Sequence, residues 1–358
     1  MISKNKIYVI AEAGVNHNGN LNIAKKLIHA AKASGANAIK FQNFTADSLV
    51  TRKAKKAPYQ IKNTKNNSYQ FQMLKELELK SKDYFELKKY SRRNKIDFLS
   101  SVFDIESIFF LKKKLKMNKV KIPSGEITNF PLLNKLYKNF RKIYLSTGMS
   151  NIKEIMESLN QIMNSKVFSL KNNKVKILNR KKFNNLRKKV TILHCVTDYP
   201  VKDEFANLQC INTIREAFNF DVGYSDHTKG IVAPLIASSK GSAVIEKHLT
   251  LNRKMKGPDH LASLEPREFK LMVDQIRKFE EMNGDGTKKL LKCEIKNKKI
   301  ARKSVVADKN ILKGEMFTYK NLTTKRPGDG LCASKFKDLI NKKSKKNYKK
   351  NQLIKEKI

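Results

Sequence analysis

Cysteine is scarce in this 358-residue chain: Cys195, Cys210, Cys293 and Cys332 show no C-x-x-C pair and no framework spacing. That argues against a zinc ribbon and a disulfide scaffold and fits a reducing cytosol. Long apolar runs are missing too. None approaches the ~18 residues of a membrane span, and the start, Met1 to Ile10, enters a strand pattern without the apolar core or cleavage site of a signal peptide. A soluble, cytoplasmic protein with no membrane partner is expected. Acidic residues are few, 32 against 76 lysines and arginines, for a formal net charge of +44. Such a balance raises nucleic acid as a partner. The lysines, however, are scattered among asparagines through nearly every helix-like segment and form no stripe interleaved with aromatics. No specific nucleic-acid partner is expected, and a non-catalytic nucleic-acid-binding barrel is the remote alternative.

Short apolar runs recur instead, each followed by a helical pattern, which is the signature of parallel βα units. Eight are present: 7–13, 38–43, 97–102, 119–123, 142–146, 190–196, 221–225 and 243–248. Eight such units close a TIM barrel, and an open doubly wound sheet is the structural rival. Nearly every run ends in a reactive polar side chain: Glu12, Lys40, Ser101, Lys121 with Ser124, Ser146, Thr197 with Tyr199, Ser225 to His227, and Glu246 to His248. In a closed barrel these ends meet at one mouth. The expected organisation is a barrel over 1–282, a polar linker over 283–299 and a small β-rich domain over 300–358, with the Lys/Asn-rich stretch 164–189 as an expanded barrel loop.

Two runs, Gly223-Tyr-Ser-Asp-His227 and Val244-Ile-Glu-Lys-His248, end neighbouring strand patterns on an imidazole, separated by about one crossover helix. Adjacent parallel strands would bring His227 and His248 to one edge, close enough to share a divalent metal. Lys40 and Lys121, with Ser124-Gly125 and Ser146-Thr147-Gly148, offer charge, hydroxyls and backbone N–H groups for a phosphorylated or carboxylated substrate. Glu12, Asp226 and Glu246 are candidate proton carriers, Asp226 alternatively orienting an imidazole. Arg326, in a Pro/Gly-constrained loop, could cap a ligand.

The runs Ile10-Ala-Glu-Ala-Gly-Val-Asn-His-Asn-Gly19, Ile39-Lys-Phe-Gln42, Lys121-Ile-Pro-Ser-Gly-Glu126, Leu145-Ser-Thr-Gly-Met149, Gly223-Tyr-Ser-Asp-His227, Glu246-Lys-His248 and Gly257-Pro-Asp-His260 resemble the sialic acid synthase family over essentially the full chain. Thr324-Lys-Arg-Pro-Gly-Asp-Gly330 resembles its C-terminal antifreeze-like (SAF, β-clip) domain. The resemblance implies an N-acetylneuraminate synthase, a transferase that condenses phosphoenolpyruvate with open-chain N-acetylmannosamine and needs manganese or another divalent ion such as magnesium or cobalt. The alternative within the family is a legionaminic or pseudaminic acid synthase using a 2,4-diacetamido hexose. It also implies that His227 and His248 are metal ligands, and that Lys40, Lys121, Ser124, Ser146 and Ser225 surround phosphoenolpyruvate. Glu12 and Glu246 would lie beside the reacting carbons, and Thr197 and Tyr199 near the sugar. Arg326 would reach the sugar of the partner subunit in a domain-swapped homodimer.

Overall fold

The computed structural model describes residues 6–172 and 174–355. Two compact units are present, Met1–Gly284 and Asp285–Ile358. The outermost residues of the two expected domains, 1–5 and 356–358, and Asn173 of the expected barrel loop lie outside the described residues.

Among the described residues twelve strands follow one another: β1 Tyr8–Gly14, β2 Ala38–Asn43, β3 Asp97–Val102, β4 Lys119–Ile122, β5 Lys142–Ser146, β6 Phe168–Lys171, β7 Lys174–Ile177, β8 Val190–His194, β9 Val222–Asp226, β10 Val244–His248, β11 Ser304–Ala307 and β12 Leu322–Lys325. Eight of them close a barrel in the order β1-β10-β9-β8-β5-β4-β3-β2, every pair parallel. The open-sheet rival is thereby excluded.

Helices form where apolar residues recur at helical spacing behind a capping side chain. In Leu21–Ala33 the Asn20 carboxamide accepts from the backbone of Asn22 and Ile23, and Ala24, Leu27, Ile28 and Ala31 bury one face. Ile152–Met163 starts with a reciprocal Asn151/Glu154 capping box and ends at Asn164, in the left-handed region at φ 52°. These faces and the outward strand residues form the main core.

Inside the barrel the side chains are stacked in layers. An apolar middle layer of Ile10, Ala38, Leu99, Tyr144, Leu193 and Val244 seals the interior. Gly223 completes it because a Cβ there would come within 2.6 Å of Leu193 Cδ2 and 2.8 Å of Val244 Cβ. Below, at the strand starts, Tyr8 Oη and Lys119 Nζ each donate to Asp97 Oδ2 at 2.5 Å. Above, at the strand ends, lies the polar set described next.

Two sequence expectations change. Among its described residues, the stretch 164–189 is not a featureless loop: β6 and β7 form an antiparallel hairpin and Arg180–Lys189 is a helix. Phe183 of that helix packs edge-on against Phe168 and Phe220, an aromatic cluster that pins the insertion to the barrel. The second half of the expected linker is likewise structured, as a short turn at Lys292–Glu294 and the helix Ile295–Ala301. Its Lys/Ile/Ala content favours helix, and no residue of it is buried, so no apolar period marks it.

In the second unit β11 and β12 pair antiparallel around Val305, Ile311, Phe317, Leu322, Tyr348 and Ile354. All four cysteines are free thiols. Among the described residues no helix is long and apolar enough to cross a membrane.

Candidate active site

The strand ends enclose a cavity of about 110 Å³ lined by Glu12, Lys40, Gln42, Ser101, Lys121, Ser124, Ser146, Cys195, Thr197, Tyr199, Ser225, His227, Glu246 and His248, with Pro123 and Gly125. Side chains alternate across a strand, so the inward set on each strand is every second residue. A larger concavity of about 700 Å³ beside Ile152–Met163 contains no buried charge among its lining residues and offers no comparable chemistry.

Four charges form the floor. Lys40 Nζ lies 2.5 Å from Glu12 Oε2 and donates to Ser101 Oγ at 3.1 Å. Lys121 Nζ donates to Glu246 Oε1 at 2.6 Å, where Ser225 Oγ also donates at 2.9 Å. The two pairs touch through Lys40 and Glu246 at 3.9 Å. Each of the four residues is at most 4% exposed. Their protonation leans in different directions. Burial raises Glu12, Glu246 adds to the rise, and Lys40 only partly offsets it. Burial would raise Glu246 as well, but Lys121 and Lys40 hold it down to about 2. Lys40 is lowered, chiefly by burial, whereas the carboxylates of Glu246 and Glu12 overcome burial at Lys121 and raise it. Lys121 and Glu246 are therefore a firmly ionised pair, and Glu12 and Lys40 are the pair closest to exchanging a proton.

The imidazoles close one side. Their ring centroids are 5.6 Å apart. His227 Nδ1 lies 2.6 Å from the Val196 carbonyl, which can only accept, so Nδ1 carries the proton and Nε2 keeps its lone pair. His248 Nδ1 is buried without a partner. Burial lowers both rings, His227 to about 4, so both are neutral near pH 7. Tyr199 packs 4.1 Å from the His227 ring, and Tyr59 packs 4.8 Å from Tyr199.

Three more cavity atoms are buried with neither a hydrogen-bond nor an ion-pair partner, Ser146 Oγ, Thr197 Oγ1 and Glu246 Oε2, while Glu12 Oε2 has only its ion pair with Lys40. Orphaned polar atoms converging on one cavity are costly unless a ligand satisfies them. For a divalent ion the donor set fits as two neutral imidazoles, the commonest protein ligands, one with an orphaned nitrogen. Among the described residues no group of three or more His, Cys, Asp or Glu side chains is arranged to hold an ion, so water or a ligand's oxygens would fill the other positions.

Of the residues singled out from sequence, Glu12, Lys40, Lys121, Ser124, Ser146, Thr197, Tyr199, Ser225, His227, Glu246 and His248 are brought together here. Asp226 is not. Lying between inward-facing Ser225 and His227, it faces the back of the sheet and is ion-paired to Lys247, both side chains fully buried. It also accepts from Tyr224 Oη and Thr228 N at 2.9 Å each. It neither reaches the cavity as a proton carrier nor touches an imidazole. Arg326 belongs to the second unit, exposed on the loop after β12.

Sequence reasoning assigned no role to Asp259, which is buried and whose carboxyl is raised to about 7, chiefly by burial and then by Glu12. Its loop is tied down by Asn16, which donates to Leu249 O and Ser263 Oγ, and by Asn18, which donates to Lys256 O. Thus the Gly14-Val-Asn-His-Asn-Gly19 motif is a clamp for the Gly257-Pro-Asp-His260 motif.

The NeuB family model matches residues 27–288 and the SAF domain model residues 302–357. The chain belongs to the NeuB family. The N,N'-diacetyllegionaminic acid synthase of Campylobacter jejuni is 48% identical to it, over 98% of this chain and 99% of that one. The human N-acetylneuraminate-9-phosphate synthase is 35% identical over 89% of this chain and 82% of its own length. A crystal structure of N-acetylneuraminic acid synthetase from Leptospira borgpetersenii, in complex with citrate, is similar with a TM-score of 0.67 at 30% identity, covering 82% of this chain and 91% of that one. Among NeuB proteins, then, this chain is more similar to the legionaminic acid synthase than to the neuraminate enzymes named here. That favours the alternative reading of the sequence over the main one.

Proposed function

We propose that this NeuB-family protein is a transferase that condenses phosphoenolpyruvate with an open-chain 2,4-diacetamido hexose to give N,N'-diacetyllegionaminic acid and phosphate. The observation that carries the sugar choice is the 48% identity, across nearly both full lengths, to the Campylobacter jejuni synthase. The buried lysine pair and hydroxyls support a phosphorylated, carboxylated co-substrate.

Lys40 and Lys121, with Ser124, Ser146 and Ser225, hold the phosphate and carboxylate, satisfying the orphaned Ser146 Oγ. C3 of the enol attacks the sugar aldehyde, whose oxygen takes a proton to become a hydroxyl. Water adds at the cationic C2 and loses a proton, and phosphate leaves with C–O cleavage. The ionised Glu246 offsets the charge at C2. Glu12, whose carboxyl is raised and whose partner Lys40 sits at 2.5 Å, handles the proton. His227 and His248 would hold a divalent ion, manganese, magnesium or cobalt, which would supply Lewis-acid polarisation of the aldehyde oxygen. Thr197 and Tyr199, which line the cavity, face the sugar. Arg326, acting from the second unit of a partner subunit in a homodimer, completes the sugar site.

The deciding experiment incubates purified protein with phosphoenolpyruvate, manganese and either the diacetamido hexose or N-acetylmannosamine, following phosphate release and product mass. Preference for the diacetamido sugar is expected. Preference for N-acetylmannosamine would overturn the sugar assignment, and no phosphate release with either would overturn the reaction. Arg326→Ala should raise the sugar's KM well above its effect on that of phosphoenolpyruvate, and light scattering should give a dimer mass.

A further inference from the structure

Cys195 is a buried thiol facing the cavity that no step above uses. Its Sγ lies 3.0 Å from Ser124 Oγ, and the same oxygen accepts from Gly148 N at 3.0 Å. The packing around these atoms is closed. A Cβ on Gly148 would fall onto Thr197 Oγ1, Ser124 Oγ and Cys195 Sγ together, so the glycine is what lets the three polar groups converge. Thr147 Oγ1 donates to Leu193 O at 2.9 Å and fixes the turn that presents the Gly148 N–H. Beside them Ser146 Oγ, on a residue 98% buried by its 2% exposure, has no partner and lines the same cavity, an independent sign that a polar ligand belongs there.

A hydroxyl has one proton and two lone pairs. At Ser124 the Gly148 N–H takes one lone pair. If the hydroxyl proton points at sulfur, Ser124 has nothing to donate to a ligand. If the thiol donates instead, both lone pairs are filled and the only remaining direction for the Ser124 proton is the cavity. An anion near Lys40 and Lys121 is a far better acceptor than a thiol sulfur, so its arrival selects the second arrangement.

We propose that Cys195 is a positioning residue for the phosphorylated substrate: its S–H donates to Ser124 Oγ, and the Ser124 O–H thereby donates to the substrate's anionic oxygens. This rests on the proposed reaction only in the identity of the anion. No bond is made or broken in the relay; two protons turn between hydrogen-bond partners. A serine at 195 could play the same part, because it too has a donor.

The test measures phosphoenolpyruvate binding by calorimetry without sugar, and KM for both substrates, in the full-length protein and in Cys195→Ala, Cys195→Ser, Ser124→Ala and Cys195→Ala/Ser124→Ala. Circular dichroism checks each fold. Cys195→Ala should weaken phosphoenolpyruvate about tenfold, the worth of one hydrogen bond to a charged chain, with the sugar's KM unchanged within about twofold. Cys195→Ser should recover most of the loss. The double variant should be no weaker than Ser124→Ala alone, because the thiol acts only through that hydroxyl. Equal binding by wild type and Cys195→Ala, or additive losses in the double variant, would overturn the relay while leaving the reaction standing. Failure of the wild type to bind phosphoenolpyruvate would overturn the proposed reaction and the relay with it.

Discussion

At the start of the barrel strands Lys119 and Asp97 pair with 40% and 48% of their side chains exposed, whereas at the strand ends Lys121 and Glu246 pair with 5% and 4% exposed. Both pairs are lysine with carboxylate, and both cap the same apolar layer of Ile10, Leu99, Tyr144 and Leu193. The lower pair is shared with Tyr8 Oη and reaches water, so its charges cost little. The upper pair is dry, is coupled to a second buried pair, and sits among orphaned polar atoms. Charge type is the same at the two ends; desolvation and unmet hydrogen bonding distinguish a plug from a site prepared for a ligand.

Lys121→Met should break the comparison most violently. It leaves Glu246 buried with only Ser225 and a distant Lys40, and losing one partner of a buried pair costs about 3–5 kcal/mol. Turnover should fall about 10³-fold as well. Urea unfolding and phosphate release measure the two losses, and a stable, active variant would refute the ligand-poised reading of the upper end. His248→Ala separates the two effects. Removing a ring whose Nδ1 is unsatisfied should leave stability within about 1 kcal/mol, while turnover with a divalent ion falls about 10³-fold. Full activity in that variant would remove the metal assignment. Lys247→Met tests a third environment, a buried pair with every partner in place. It should cost about 3 kcal/mol by unpairing Asp226, and Asp226→Leu/Lys247→Met should regain most of that. Failure of the double variant to recover would mean that the pair contributes more than mutual compensation.

Lys247 and Asp226 also show what was legible in the sequence and what was not. The eight strands and the polar residue at each end could be read from apolar runs, because a parallel strand buried on both faces writes itself as a continuous run. The inward face was legible too. With Ser225 and His227 inward, the period of two already sends Asp226 outward, so its assignment to the site set local alternation aside in favour of an attractive acid–imidazole adjacency. Asp259 is different. It lies eleven residues past His248, and its burial depends on Asn16 and Asn18, more than 230 residues away in sequence. No periodicity reports such a contact. The helix Ile295–Ala301 escaped for the opposite reason, having no buried face to leave a pattern.

The smallest effect belongs to the lower pair, and pH is the sharper probe there. Burial works to raise Asp97, but donation from Lys119 and Tyr8 outweighs it and holds the carboxyl below its usual range. A depressed folded pKa means that the stabilisation is complete above the unfolded value of about 4 and is lost as pH falls through the folded one. Because about half of Asp97 is exposed, screening should keep its worth below about 1 kcal/mol. Asp97→Asn should therefore lower stability slightly at pH 7, and its difference from wild type should shrink towards zero as the pH drops below about 4. Turnover should stay within about twofold, since the apolar layer lies between Asp97 and the cavity. Urea midpoints from pH 2.5 to 7 compare the two proteins. A difference that persists at the acid end would mean that Asp97 is held by packing and not by its charge. A loss of turnover would mean that the two ends of the barrel are coupled through Tyr8 and Tyr144, the latter a member of the apolar layer, whose rings stack 6.1 Å apart.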